Sequence, residues 1–226
     1  MDTTREYPEI FCTVDVVALR LRDNALEVGL IRRDASPFEN QLALPGGFVR
    51  AQEDADSLGA AKRILQSKTG FLPAHLEQLA TYSGSKRDPR GFTVSIVYLA
   101  LIREEEAQQD TPLLHWMPVS KAISVRAQLA FDHRTIIEDA LKRIKGKALY
   151  AHTPAYFMST TFTFPQLQQV YETVLDEKIA KKTFRRWVLD ADILEPLNTK
   201  AEVDVDNPAR PAQQYRLNLK ALRQLR

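Results

Sequence analysis

Cysteine is nearly absent from this sequence, which has one, Cys12, among 226 residues. A single thiol excludes an intrachain disulfide and a metal site built from several cysteines. Cys12 stands in an apolar stretch, where we expect it to be a buried strand residue. No stretch reaches the roughly 18 consecutive apolar residues of a membrane-spanning helix, and the N-terminus lacks the apolar run of a signal peptide. We therefore expect a soluble, cytoplasmic protein with no membrane partner.

A strong excess of one charge is also missing. The 31 basic and 29 acidic residues leave a formal net charge of +2, so charge alone does not indicate nucleic acid. The hydrophobic fraction of 44% is enough for a packed core, and the length fits one large domain or two small ones. Because proline, small residues and threonines accumulate after residue 150, we predict two domains, 1–150 and 151–226.

Residues 44–71 combine a strand end, two glycines, a helix pattern and a terminating glycine. We expect Gly46 and Gly47 to allow backbone angles and a close ligand approach that a side chain would prevent. Apolar residues three and four apart then predict an amphipathic helix, which Gly70 ends in the usual C-terminal manner. This order resembles the Nudix box of the Nudix hydrolases, and Gly47 and Glu53 fit the start of the family pattern.

The metal-binding glutamates of that box are missing. The helix positions that hold them in the family pattern carry Ile64, Ser67 and Lys68. Hydrolysis of a diphosphate needs divalent metal ions, which prefer carboxylate oxygens to an alkyl chain, a hydroxyl or an ammonium group. Glu53 and the acids after it remain, but they precede the helix. We therefore predict a scaffold that binds a nucleotide without cleaving it, with no catalytic residue, no metal site and no required cofactor.

Patterns on both sides of the box predict a sheet. Strands are expected at 10–21, 25–32, 76–83, 92–102 and 114–118, and an apolar periodicity predicts a helix that opens near residue 129. Asp132 is expected to be the N-cap of this helix. His133 is interpreted as a structural residue, because one histidine with one carboxylate is weak evidence for a ligand site.

Two basic segments of the first domain are candidates for phosphate binding. One follows the second predicted strand, and the other surrounds an Asp-Pro turn at residues 85–91. A guanidinium group can bind a phosphate with two parallel hydrogen bonds, although solvated arginines and an ordinary polar hairpin are alternatives. The predicted ligand-binding residues are Arg32, Arg33, Gly46, Gly47, Phe48, Glu53, Lys86, Arg87 and Arg90.

The second domain has the pattern of a winged helix. Thr163 is expected to cap a helix that has proline in its first turn. A short turn precedes a second helix at about residues 180–190, on which Phe184, Val188 and Ala191 form the inward stripe. Two predicted strands, at 193–197 and 214–219, complete the pattern. A generic small domain with solvated basic residues is the alternative.

Basic residues gather at the start of this second helix, which is the end that recognition helices present to DNA. No acidic residue interrupts the segment 180–188. Such side chains can contact phosphates and guanine edges. The predicted DNA-binding residues are Lys181, Lys182, Thr183, Arg185 and Arg186 on the helix and Arg210 in the loop between the strands.

Five stretches in order resemble the NrtR family of Nudix-related transcriptional regulators. They are Leu-Pro-Gly-Gly-Phe-Val at 44–49, Arg-Asp-Pro-Arg-Gly at 87–91, Leu-Ala-Phe-Asp-His at 129–133, Thr-Phe-Arg-Arg at 183–186 and Arg-Pro-Ala-Gln-Gln-Tyr at 210–215. The resemblance implies an α+β protein, in which a Nudix-like α/β/α sandwich with a mixed sheet precedes a winged helix-turn-helix domain. Leu42 departs from the family, in which many members have a tryptophan there.

The resemblance also implies a function. We expect a homodimeric repressor of NAD metabolism genes that binds a palindromic operator in double-stranded DNA and senses ADP-ribose or a related nucleotide. Three alternatives stay open: an active ADP-ribose pyrophosphatase with a C-terminal dimerisation module, a regulator of a sugar pathway, and a nucleotide-binding protein with neither activity. The sequence does not give the sign of the coupling between ligand and DNA.

Overall fold

The first half of the chain is built on a mixed sheet. The computed structural model describes residues 9–70, 73–107, 114–200 and 212–225. Strands β1 (Phe11–Arg22) and β6 (Thr93–Leu101) are parallel, and the other pairings are antiparallel. The other strands are β2 (Ala25–Arg32), β3 (Leu42–Ala43), β4 (Gly46–Phe48), β5 (His75–Gly84) and β7 (His115–Pro118). Their order is β3-β2-β1-β6-β5, with β4 paired to β1 and β7 to β2.

Helices cover both faces of this sheet. Alternate residues of a strand face opposite sides, and β1 is buried on both. Val14 and Val16 pack in one apolar cluster with residues of α1 (Ser57–Thr69), whereas Val17 and Leu19 pack in another with α4 (His133–Ala148). Two short helices, α2 (Glu104–Ala107) and α3 (Val119–Ala122), lie between them in the chain. The predicted α/β/α sandwich is confirmed.

Three local expectations of the first half have different outcomes. Gly70 ends α1 in the left-handed conformation, with φ 78°, as expected of a glycine cap. Cys12 is exposed, so its expected burial is wrong: it precedes the buried run of β1. Gly46 and Gly47 belong to a strand and have no left-handed φ, so the expected need for unusual backbone angles is also wrong.

The second half is a winged helix. Helix α5 (Phe164–Leu175) and helix α6 (Lys181–Asp190) pack on a small sheet of order β8-β10-β9. The strands are β8 (Phe162–Thr163), β9 (Leu194–Lys200) and β10 (Gln213–Leu217). Thr163 is the N-cap residue of α5, as predicted. Its backbone N–H donates to Gln166 Oε1 at 2.7 Å, which is the reciprocal bond of a capping box.

The C-terminal end of the chain departs from the prediction. The strand expected at 214–219 ends at Leu217, and a helix α7 (Leu219–Gln224) follows it. The Asn218 side chain accepts a hydrogen bond from the Ala221 N–H at 3.1 Å. Asparagine is a strong N-cap residue, and this cap explains why the helix begins there.

A buried segment joins the two halves. It contains a 3-10 turn, Thr153–Phe157, and His152, whose Nδ1 lies 2.9 Å from the Tyr171 hydroxyl of α5. The His152 ring also packs against Trp187 of α6, with centroids 4.7 Å apart, and burial lowers its pKa to about 4. The apolar core is continuous across this segment, and the domain boundary at residue 150 stays a prediction. Within the described residues, no helix is both long and apolar enough to cross a bilayer.

Candidate functional site

A cleft of about 590 Å³ opens beside β4, between the 85–91 loop and the start of α4. Six of the predicted ligand-binding residues line it: Arg33, Gly46, Gly47, Phe48, Arg87 and Arg90. The other lining residues were not predicted to bind a ligand. They include Thr13, Asp15, Asp88, Thr93, Phe131 and His133.

Three predicted ligand-binding residues lie outside the cleft. Arg33, which follows β2, lines the cleft, whereas Arg32, the last residue of β2, donates to the Asn40 carbonyl at 2.7 Å. Successive residues of a strand point to opposite faces, and Ile31, not Arg32, is on the face of the cleft. Glu53 forms an ion pair with Arg50 at 2.8 Å, and its side chain is 54% exposed. Lys86 lines a separate depression next to the cleft.

The acids that follow the glycine loop have structural partners. Asp54 accepts two hydrogen bonds from Arg63, each 2.7 Å long, and these bonds hold the pKa of Asp54 at about 2. Asp56 accepts from the Gly59 N–H at 2.7 Å and caps α1. Among the residues that the structure describes, no group of three histidine, cysteine or acidic side chains is arranged to hold a metal ion.

The altered box positions on α1 have ordinary helix environments. Ile64 is buried in the apolar layer between α1 and the sheet. The Ser67 hydroxyl donates to the Ile64 carbonyl at 3.0 Å, and Lys68 is half-buried at the end of the helix. None of the three lines the cleft.

An aspartate forms the floor of the cleft. Asp15 stands in the middle of the apolar strand β1, and its Oδ2 accepts a hydrogen bond of 2.5 Å from the Ser95 hydroxyl. A Cβ atom at Gly46 would lie 2.0 Å from Asp15 Oδ1, which is far inside contact distance. Gly46 is therefore required because the carboxylate occupies the space that a side chain would need.

His133 fixes the start of α4 against this floor. Its Nδ1 accepts a hydrogen bond from the Leu44 N–H at 2.9 Å, and its Nε2 lies 3.8 Å from Asp15 Oδ1. Burial lowers the pKa of His133, and the nearby Asp15 carboxylate opposes this effect. The expected structural role agrees with the Leu44 bond, but His133 also faces the cleft.

Two of the lining arginines are held by carboxylates. Arg87 donates to both oxygens of Asp132, at 3.0 and 2.9 Å, and Arg90 donates to Asp88 at 2.7 Å. Asp132 occupies the N-cap position of α4, as predicted, but its side chain makes no capping hydrogen bond. Its two oxygens are turned to Arg87 instead.

Aromatic rings complete the walls. The Arg33 guanidinium lies 4.8 Å from the centroid of Phe131, and Arg90 lies 5.4 Å from that of Phe48. Burial, followed by the nearby charge of Arg90, lowers the pKa of Arg33. A site in which cations oppose each other beside aromatic faces favours an anionic ligand that also has a planar ring.

The second candidate site is the outer face of α6. Phe184 and Val188 are fully buried and Ala191 is partly buried against the core, whereas Lys181, Lys182, Thr183, Arg185 and Arg186 are exposed. Arg185 lies over the Phe164 ring at 5.1 Å. Within the described ranges, Lys181, Lys182 and Arg186 form no ion pair or hydrogen bond. Arg210, also predicted to bind DNA, lies outside the described residues.

Two family models match the chain. The model of the NUDIX domain matches residues 13–140, and the model of the NrtR DNA-binding winged helix domain matches residues 154–217. A protein of Acinetobacter baylyi with the name ADPR responsive transcriptional repressor NtrR is 35% identical over 219 residues, which are 95% of this chain and 84% of that protein. An ADP-ribose pyrophosphatase of Methanocaldococcus jannaschii is 34% identical over 127 residues, 55% of this chain and 70% of that protein.

Solved structures of an NrtR protein and of its NUDIX domain are also similar to this chain. NrtR of Shewanella oneidensis in complex with a 27mer DNA has a TM-score of 0.84 and 34% identity, and the match covers 94% of this chain and 95% of that chain. The NUDIX domain of the same protein, in complex with ADP ribose, has a TM-score of 0.54 and 31% identity, covering 64% of this chain and 94% of that chain.

Proposed function

The chain belongs to the NrtR family of Nudix-related regulators, and from this we propose that it is a transcriptional repressor whose binding to DNA is controlled by ADP-ribose. The winged helix binds the operator, and the cleft of the Nudix-like domain binds ADP-ribose or a related nucleotide. We further propose that the repressor is a homodimer on a palindromic operator and controls genes of NAD metabolism.

The unpaired cations of α6 carry this proposal. Most charged side chains around the cleft have a partner, as Arg87 and Arg90 do. Lys182 and Arg186 have none among the described residues, although they project from a helix whose other face is buried. Exposed cations without an internal partner are available to neutralise phosphates and release their counterions.

The residues of the cleft support the proposed binding of ADP-ribose. A nucleotide diphosphate brings two negative charges and a planar base, and the cleft offers Arg33, Arg87 and Arg90 beside Phe48 and Phe131.

DNA binding is tested with two variants on α6. Arg186→Ala should remove most of the preference for specific over random duplexes, because a guanidinium can contact a guanine with two hydrogen bonds, worth about 1–3 kcal/mol. Lys182→Ala should weaken binding to both duplexes and lower the salt slope by about one unit per phosphate contact. Lys62→Ala, at an exposed lysine of α1, is the matched control and should change neither quantity. Gel-shift titrations over a salt series that show unaltered binding by both α6 variants would refute the assignment of α6 as the recognition helix.

Hydrolysis of ADP-ribose is the second candidate function, and the similarity to the archaeal pyrophosphatase favours it. We propose instead that the chain binds without cleaving, because Ile64, Ser67 and Lys68 offer no carboxylate on α1 and the acids 53, 54 and 56 are engaged elsewhere. Purified protein with excess Mg²⁺ should release negligible AMP and ribose 5-phosphate. Turnover at ordinary enzyme rates, about 1–1,000 per second, would establish the hydrolase instead.

A further inference from the structure

Asp132 stands where a helix cap belongs but does not act as one. It is the N-cap residue of α4, and aspartate is among the strongest capping residues because its carboxylate accepts from first-turn N–H groups. Here both carboxylate oxygens accept from Arg87 of the 85–91 loop, 45 positions away in the sequence. The start of α4 therefore lacks a cap while Arg87 holds Asp132.

Arg87, the partner of Asp132, is a residue that an anionic ligand in the cleft would contact. Arg87 lines the cleft, and its side chain is only 10% exposed. Its Nη2 also lies 3.9 Å from Asp15 Oδ2, so the guanidinium already stands between two carboxylates. Guanidinium groups bind phosphate with the same two-point geometry that they use for carboxylate, so a phosphate in the cleft competes directly with Asp132.

The neighbours of Asp132 are also part of the cleft. Phe131 has φ 55°, a left-handed conformation that is unusual for a bulky side chain, and His133 bonds to the loop at Leu44. Helix α4 then runs for 16 residues to Ala148, close to the buried segment that contacts α5 and α6. Helix α4 therefore connects the cleft, at its first turn, with the segment that contacts the winged helix, at its last turn.

We propose that Asp132 is a positioning residue that exchanges partners when the ligand binds. A phosphate of the ligand takes Arg87, and the released carboxylate turns to cap the first turn of α4. This inference rests on the proposed binding of ADP-ribose in the cleft. It assigns to the ligand a defined local effect, the ordering of the helix start, and it makes Asp132 a competitor of the ligand.

The test uses two substitutions with opposite consequences for the cap. Asp132→Asn weakens the pair with Arg87 but keeps a strong capping side chain, whereas Asp132→Ala removes both functions. Hydrogen exchange at the amides of residues 134 and 135 reports the cap, and calorimetry with ADP-ribose reports binding. Asp139→Asn, on the same helix but bonded to Tyr82 and Lys142, is the matched control.

We expect saturating ADP-ribose to slow exchange at residues 134 and 135 about three- to tenfold in the wild type and in Asp139→Asn. In Asp132→Asn exchange should be slow with and without ligand, and in Asp132→Ala fast in both conditions. Both Asp132 variants should bind ADP-ribose about three- to tenfold more tightly, because the ligand no longer displaces a carboxylate.

Two other results would overturn the exchange of partners. If the wild type binds ADP-ribose but exchange at residues 134 and 135 is unchanged, Asp132 acts only through its charge and the proposed function stands. If calorimetry detects no binding of ADP-ribose to the wild type, the proposed sensing function fails and the inference fails with it.

Discussion

The two adjacent glycines of β4 differ in a way that can be measured. A Cβ atom at Gly46 would meet Asp15 Oδ1 at 2.0 Å and the Val14 carbonyl oxygen at 3.1 Å. At Gly47 the nearest atom is Ile64 Cδ1, at 3.8 Å, which is an ordinary contact. Gly46→Ala should therefore destabilise the fold strongly, and Gly47→Ala is its matched control.

The expected loss of stability in Gly46→Ala follows from the contacts that Asp15 would lose. Overpacking of a well-packed site costs about 1–3 kcal/mol. To make room, the carboxylate must also leave the Ser95 hydroxyl, and a hydrogen bond to a charged group contributes about 1.5–3 kcal/mol. We expect the free energy of unfolding to fall by about 3–5 kcal/mol in Gly46→Ala. In Gly47→Ala it should change by less than about 1 kcal/mol, because alanine also restricts the unfolded chain.

Urea denaturation of the three proteins measures these differences directly, and the melting temperature of Gly46→Ala should fall by roughly 6–20 °C, at about 2–4 °C per kcal/mol. Double substitution with Asp15→Ala should recover part of the loss, because the obstructing carboxylate is then absent. Equal stability of Gly46→Ala and Gly47→Ala would refute the account of the cleft floor.

Two further predictions concern a histidine and the arginines of the cleft. Burial lowers the pKa of His152 from 6.5 to about 4 in the folded protein. Between these two pH values the histidine is protonated in the unfolded chain but not in the folded one, so the stability of the fold should decrease as the pH falls from about 6.5 to about 4. At about 1.4 kcal/mol per pKa unit, the loss is about 3 kcal/mol, and unfolding curves of wild type and His152→Gln at several pH values should differ in this window. Arg87→Ala and Arg90→Ala should each weaken ADP-ribose binding in calorimetry by about 1.5–3 kcal/mol. Arg90→Ala should leave DNA affinity in the absence of ligand unchanged, because Arg90 is bonded to Asp88 and not to Asp132. Wild-type affinity for ADP-ribose in both variants would place the phosphate elsewhere in the cleft.

Local patterns gave most of the fold. The alternation in β2 predicted its bounds, and the capping signals at Gly70 and Thr163 were read correctly, because helix ends depend on a few neighbouring residues. The same alternation places Arg32 and Ile31 on opposite faces, and because Ile31 lines the cleft it could have excluded Arg32 from the cleft.

The composition of the cleft was harder to predict. Ser95 and His133 both lie next to Asp15 at the cleft floor, although 118 positions separate Asp15 from His133. The single available signal was an aspartate inside an apolar strand, since a buried charge requires a partner. The actual partner of Asp132 also lay outside local reasoning, because a capping position does not reveal that a distant arginine competes for the side chain.

The central claim is that this chain binds specific DNA and that ADP-ribose controls the binding. The most direct measurement is the capture of genomic DNA fragments by the purified full chain, with and without ADP-ribose, followed by sequencing of the retained DNA. We expect a small set of fragments that share a palindromic sequence, and we expect ADP-ribose to release them. Retention of fragments without sequence preference, or a specific set that ADP-ribose leaves unchanged, would contradict the claim.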